Sequence, residues 1–180
     1  NGARHISTNR SFITDESSCF NLKIRTTPSQ LHINIFNKVG FISCPLDVRD
    51  FKKALSNGEI DAQENPLTNF WNFGVQNSQK YLTLSSHLFG FCLFVVNQDF
   101  FIKLQDQEQE LILEAAKETI SYQYMLAEED DYKLIDMIIK ENVQIREMTI
   151  LEKSNFKEKV KEFHNNFFLQ FPKMNFNKEI

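Results

Sequence analysis

The chain has 180 residues, 42% of them hydrophobic and 18 of them Phe, which excludes a solvated, disordered coil and sets one domain as the default. Lys and Arg number 20 against 24 Asp and Glu, a net charge of −4, so no strongly basic surface drives binding to nucleic acid or anionic membrane. The longest apolar run, residues 88–96, is well short of the ~20 residues that a membrane-spanning helix needs.

The chain opens on Asn1 rather than Met, with no signal sequence ahead of it, so the expectation is a processed chain or part of a longer gene. Leu22-Lys-Ile-Arg25-Thr-Thr alternates apolar and polar residues and predicts a short strand. Pro28-Ser29 then opens a helix with Leu31, Ile35 and Val39 on one face and Gly40 at its left-handed C-terminal cap. Residues 41–44 read as a second strand, closed by Pro45. Asp47 is the predicted N-cap of a helix carrying Val48, Phe51 and Leu55, and Asn57-Gly58 ends it. Residues 60–62 form a third short strand, after which Asn65-Pro66 reads as an N-cap followed by Pro at the first helical position. This rhythm predicts an α/β layer with a mainly parallel sheet.

The second half differs. Residues 81–84 and 89–96 read as two strands, the latter apolar enough to be covered on both faces. Residues 106–139 contain neither Gly nor Pro. Leu111, Ala115, Glu118 and Tyr122 step along one face, and Leu134, Ile135 and Ile138 continue the stripe. A helix of that length, roughly 50 Å, either breaks at the acidic run 128–131 or bridges two lobes. Residues 143–148 predict another strand, and Ser154 caps a last helix with Phe156, Val160, Phe163 and Phe167 inward.

Chemical motifs are sparse. No nucleophile elbow, metalloprotease motif or phosphate loop is present, and no cofactor is implied. His5, His32, His87 and His164 lack metal-ligand spacing, so no metal site is expected. Cys19, Cys44 and Cys92 form no C-x-x-C pair and read as small buried hydrophobes. The acidic run 128–131 reads as a solvated face relieved by Lys133. Phe163, Phe167, Phe168 and Phe171 read as core packing ahead of a docking stripe. Trp71, beside Phe70 and Phe73, is equally a ligand-pocket floor or part of a buried aromatic cluster. Arg25 and Asn65 remain, each at a strand-to-helix turn bordering the crevice of an α/β sheet. A guanidinium beside a helix N-terminus suits an anion, although an ordinary salt bridge is the favoured reading of Arg25 from spacing alone.

Leu22-Lys-Ile-Arg25, the helix to Gly40, and Ala54-Leu55-Ser-Asn-Gly58-Glu-Ile-Asp61-Ala-Gln-Glu-Asn65-Pro66-Leu67 together resemble the extracytoplasmic solute-binding proteins of TRAP (tripartite ATP-independent periplasmic) transporters. The similarity is to the C-terminal portion of the DctP-like family. Gln79-Lys80-Tyr81-Leu82-Thr83-Leu84 and the opening Asn1-Gly2-Ala3-Arg4 resemble further family segments, and Glu114-Ala115-Ala116 resembles its lobe-spanning helix.

The resemblance implies a periplasmic-binding-protein-like clamshell of the type II kind, with the second lobe essentially complete and only part of the first. Residues 1–88 and 141–180 would form the second lobe, and residues 89–140 a strand and long helix belonging or bridging to the first. It implies capture rather than catalysis: a small carboxylate ligand held by Arg25, with Arg4 and Asn65 as further contacts. Glu64 and His87 would order waters around it, and Trp71 is carried as a pocket candidate. Membrane permease subunits are the implied partner and the periplasm the implied location. Where the family often places an aromatic residue, Asp47-Val48-Arg49 stands instead. Two other outcomes remain open, a receptor's ligand-sensing module and a truncated, non-binding remnant. With half of the cleft wall missing, residues 89–96 and one face of the long helix would also form a self-association surface.

Overall fold

The computed structural model describes residues 2–169. In chain order its elements are β1 (Gly2–Thr8), α1 (Glu16–Cys19), β2 (Lys23–Thr26), α2 (Gln30–Lys38), β3 (Ile42–Pro45), α3 (Val48–Ser56), β4 (Ala62–Pro66) and α4 (Leu67–Asn72). Then follow β5 (Tyr81–Gly90), α5 (Gln98–Phe101), α6 (Asp106–Lys140), β6 (Gln144–Glu147) and α7 (Ile150–Leu169).

The six strands form one sheet in the order β3-β2-β4-β1-β5-β6. β2 lies parallel to both β3 and β4, as the alternation of strands and helices over residues 22–62 predicts, and β5 lies parallel to β6. The sheet is nonetheless mixed, because β1 runs antiparallel between β4 and β5. β1 carries no apolar alternation to announce it. Its buried residues include His5, Ser7 and Thr8, so it is a central strand filled largely with hydrogen-bonded polar groups.

Local signals fare well where the chain closes its helices. Gly40 takes φ +107° after α2; its N–H meets the Asn37 carbonyl at 3.2 Å and the Phe41 N–H meets Phe36 at 3.1 Å, the paired bonds of a Schellman cap. α3 begins with Asp47 accepting from the Arg49 N–H and ends in the same way at Gly58.

Four expectations are corrected. Asn65 is not a helix cap: β1 supplies pairing partners as far as Pro66, so β4 runs on through Asn65 and α4 starts at Leu67. Residues 89–96 are not a covered strand. β5 ends at Gly90 opposite Gly2, and beyond it Phe91, Leu93 and Phe94 lie exposed, with no strand beside them among the described residues. α7 begins at Ile150 rather than after Ser154, because Thr149 and Glu152 form a reciprocal cap: the Thr149 N–H meets Glu152 at 2.8 Å, and the Glu152 N–H meets the Thr149 hydroxyl at 3.3 Å. Cys92 is exposed, not a buried hydrophobe, whereas Cys19 is buried and Cys44 half-buried. Phe168 and Phe171 fall outside the described side chains.

Two apolar clusters sandwich the sheet. One gathers Phe51, Phe70 and Leu82 with Leu134 and Ile138 from the end of α6. The other gathers Ile13, Ile24, Phe36, Ala62 and Met148, with Phe156 and Val160 of α7 packed against it. α6 runs unbroken for 35 residues, about 52 Å, past the acidic run, where Lys133 pairs with Glu129 at 3.1 Å. Among the described residues its fully buried positions, Leu134 and Ile138, lie in its last turns, while Leu111 and Tyr122 are exposed.

Candidate functional site

The sequence-predicted polar residues converge where β2, β4 and β1 meet. Arg25 on β2 stands in register with Gln63 on β4, and its side chain is buried. Its Nε donates to the Leu46 carbonyl at 2.9 Å, and its Cζ lies 5.4 Å from the centre of the Phe51 ring. Two fixed contacts thus hold the plane of the guanidinium. Among the described residues, its two terminal nitrogens have no hydrogen-bond partner. Burial draws the Arg25 pKa down, opposed by the Glu64 carboxylate and reinforced by Arg4.

Glu64 is the buried counter-charge. Arg4 reaches across from β1 with Nε at 2.5 Å from Oε2 and Nη2 at 2.7 Å from Oε1, a two-pronged pair. The same Nη2 also meets the Glu64 carbonyl at 2.8 Å and Asn65 Oδ1 at 3.3 Å. His87 Nε2 stands 3.4 Å from Glu64 Oε2. Burial pushes the Glu64 carboxyl up, but the hydrogen bonds and charges of His87 and Arg4 together hold it below its ordinary value.

His87 reaches Glu64 because β5 bulges. The register against β1 jumps from Thr83 opposite Ile6 to Leu88 opposite Arg4, and Ser86 takes a left-handed φ of +47°. Such a bulge re-aims the side chains that follow it. The Ser86 N–H donates to His5 Nδ1 at 3.3 Å, and Ser85 Oγ lies 2.8 Å from His87 Nδ1. His5 is itself buried, and that burial, with the nearby His87 and Lys153, pulls its pKa to about 4.

Asn65 closes the array. Its Nδ2 donates to Gln63 Oε1 at 2.6 Å, and Gln63 Nε2 donates to Ser7 Oγ at 2.6 Å. These three residues form a buried polar ladder across β4 and β1.

Arg4, Arg25, Glu64, Asn65 and His87 therefore share one neighbourhood. The Trp71 ring is half-buried and packs against the cluster that contains Phe51 and Phe70. Arg49 adds no charge to that neighbourhood, because it lies exposed and pairs with Asp47 at 2.8 Å. His32 belongs to the same electrostatic neighbourhood, with Glu64, Arg4, His87 and Arg25 all acting on it. Its signal was its place in the first turn of α2, seven residues after Arg25.

The architecture has counterparts among known proteins. Residues 1–170 match the family model DctP, bacterial extracellular solute-binding protein, family 7. The chain belongs to that family. Among curated relatives, the 2,3-diketo-L-gulonate-binding periplasmic protein YiaO of Escherichia coli K12 is 30% identical over 158 residues, which cover 88% of this chain and 48% of the relative. A TRAP periplasmic solute-binding protein of Ochrobactrum anthropi, solved with its C-terminus in the ligand-binding pocket, superposes with a TM-score of 0.86 at 32% identity, covering 92% of this chain and 52% of that one. The sugar acid binding protein DctPAm of Advenella mimigardefordensis, solved with galactonate, gives 0.85 at 25% identity, covering 96% and 56%. The chain thus spans about half the length of the relatives it matches. Those relatives are solute-binding proteins rather than enzymes, and the DctP-family fold is the α/β architecture of periplasmic binding proteins.

Proposed function

We infer that this family 7 chain carries the carboxylate grip of a TRAP-type solute-binding protein, capturing a small organic acid and presenting it to membrane permease subunits outside the cytoplasm. The observation that carries this reading is Arg25: a buried guanidinium clamped by Leu46 and Phe51, with its terminal nitrogens unpaired among the described residues. A planar fork held in this way suits a carboxylate, which accepts two parallel N–H bonds. Asn65 directs one amide N–H at Gln63 and keeps the other for a ligand oxygen.

Charge supports the same reading. Arg4 and Arg25 contribute two positive charges against one from Glu64, leaving one net positive charge beside a candidate monoanion site. Arg4 gives Nε and Nη2 to Glu64, so Nη1 is the part of its fork left for a ligand. Glu64 and His87 then order water and hydroxyl groups at the margin. In this reading residues 1–88 and 141–180 form the gripping lobe, and residues 89–140 run to the facing lobe. Closure over the acid excludes water and strengthens each charged bond. The names of the relatives, which include a diketogulonate binder and a galactonate complex, support sugar acids as the ligand class.

Calorimetric or NMR titration with galactonate and 2,3-diketo-L-gulonate tests this directly. Arg25→Ala is expected to weaken binding at least about tenfold, and Arg25→Lys to recover only part, because a point charge cannot reproduce the fork. Undiminished affinity in a folded Arg25→Ala chain overturns the reading.

A further inference from the structure

His32 is the polar group around Glu64 to which the carboxylate grip assigns no role. It sits in the first turn of α2, and its Nδ1 lies 2.7 Å from Thr27 Oγ1, which orients the ring. Its edge packs on Phe36, with centroids 6.4 Å apart and planes at 88°. Phe36 meets His87 in the same manner, at 5.7 Å and 81°, and His87 reaches Glu64. His32 and His87 therefore flank one buried phenyl ring at the end of the strand that carries Arg25. Thr27, two residues beyond Arg25, ties His32 to that strand's continuation.

Among the described residues His32 Nε2 has no hydrogen-bond partner. Burial lowers the pKa of the ring; Glu64 opposes that, and Arg4, His87 and Arg25 reinforce it. The imidazole is thus neutral at neutral pH, offering one donor and one acceptor. A neutral ring beside two guanidinium groups adds no third positive charge. It is suited to a hydroxyl group rather than to a second carboxylate.

We propose that His32 is a specificity-determining contact, its Nε2 hydrogen-bonding a hydroxyl on the carbon chain of the acid whose carboxylate Arg25 holds. The assignment rests on the carboxylate reading and extends it from the charged end of the ligand to its hydroxylated body. Thr27 acts as the positioning residue that keeps Nε2 aimed at the ligand. A site that hydrogen-bonds a substrate hydroxyl discriminates strongly against the analogue lacking it, because its polar atom is then left unpaired.

The test compares galactonate with hexanoate, which has the same chain length and no hydroxyl, by NMR titration of wild type, His32→Phe, His32→Asn and Arg25→Ala. His32→Phe keeps a ring against Phe36 and removes both nitrogens. We expect it to weaken galactonate binding about tenfold while leaving hexanoate unchanged, with partial recovery in His32→Asn. The His32 ring resonances of the wild type should shift on adding galactonate and stay in place on adding hexanoate. Equal loss for both acids, or undiminished galactonate affinity in a folded His32→Phe chain, overturns the assignment. If Arg25→Ala loses both acids while His32→Phe loses neither, only the role of His32 falls. If Arg25→Ala loses neither, or wild type binds neither acid, the carboxylate reading falls and takes this assignment with it.

Discussion

Glu64, Gln63 and Ser7 are fully buried in the sheet, while Phe91 and Leu93 are 86% exposed and Phe94 and Leu111 are 70% exposed. This reverses the usual partition of charge and carbon in a folded chain. In the sheet the buried polar groups are held by specific partners: the Glu64 carboxylate by Arg4 and His87, Asn65 by Gln63 and Arg4, and Arg25 at its Nε by the Leu46 carbonyl, which leaves its terminal nitrogens open. From residue 91 to the middle of α6, apolar side chains have little to pack against. The first region holds its residues in fixed geometry, and the second contributes little to holding them.

Paired substitutions sharpen that contrast, beginning with the two ion pairs. Glu64→Ala leaves two guanidinium groups poorly compensated beside the sheet and should destabilise the fold by about 3–5 kcal/mol. Glu129→Ala breaks an exposed pair one helical turn long and should change stability by no more than about 0.5 kcal/mol. Urea unfolding of both variants checks this, and equal effects would break the comparison.

Carbon should behave in parallel. Phe51→Ala opens the main core and strips the ring from beneath Arg25, for an expected loss of about 3–5 kcal/mol. Leu113→Ala, on the exposed stretch of α6, should lie within about 0.5 kcal/mol of wild type. A large effect at Leu113 would mean that α6 is packed in solution.

Acid should find the buried polar region first. His5 titrates near 4 when folded against an ordinary value of 6.5, so the folded state resists protonation that the unfolded chain accepts. The stabilisation is fully present above pH 6.5 and is lost as pH falls towards 4, by about 3 kcal/mol in all. Glu64, held below its ordinary value, adds a loss in the same direction at more acid pH. Unfolding midpoints from pH 7 to 4 should therefore fall steeply in wild type and less steeply in His5→Asn. Matching slopes would contradict the assignment to His5.

The legible parts of the fold were those governed by local chemistry. Gly40 and Gly58 mark left-handed caps, Asp47 caps α3, and the alternation around Arg25 marks β2, because each signal acts within a few residues. β1 was illegible because its burial is satisfied by polar partners on β4 and β5, a tertiary fact with no period-2 apolar pattern. Asn65 misled for the same reason: its local pattern signals a helix start, and β1 overrides it. At the site, Arg25 and Asn65 could be found from strand ends, and Arg4, Glu64 and His87 through the family motif. The bulge at Ser86 that carries His87 to Glu64, and the Thr27 bond that orients His32, depend on non-local geometry and side-chain placement that no spacing announces.

Capture of the acid turns on one guanidinium. Titrating galactonate into wild type, Arg25→Ala and Arg25→Lys, with an amide NMR spectrum confirming the fold of each, tests it most directly. Binding by wild type, loss of at least about tenfold in Arg25→Ala and partial recovery in Arg25→Lys is the predicted result. Equal binding by all three would contradict it.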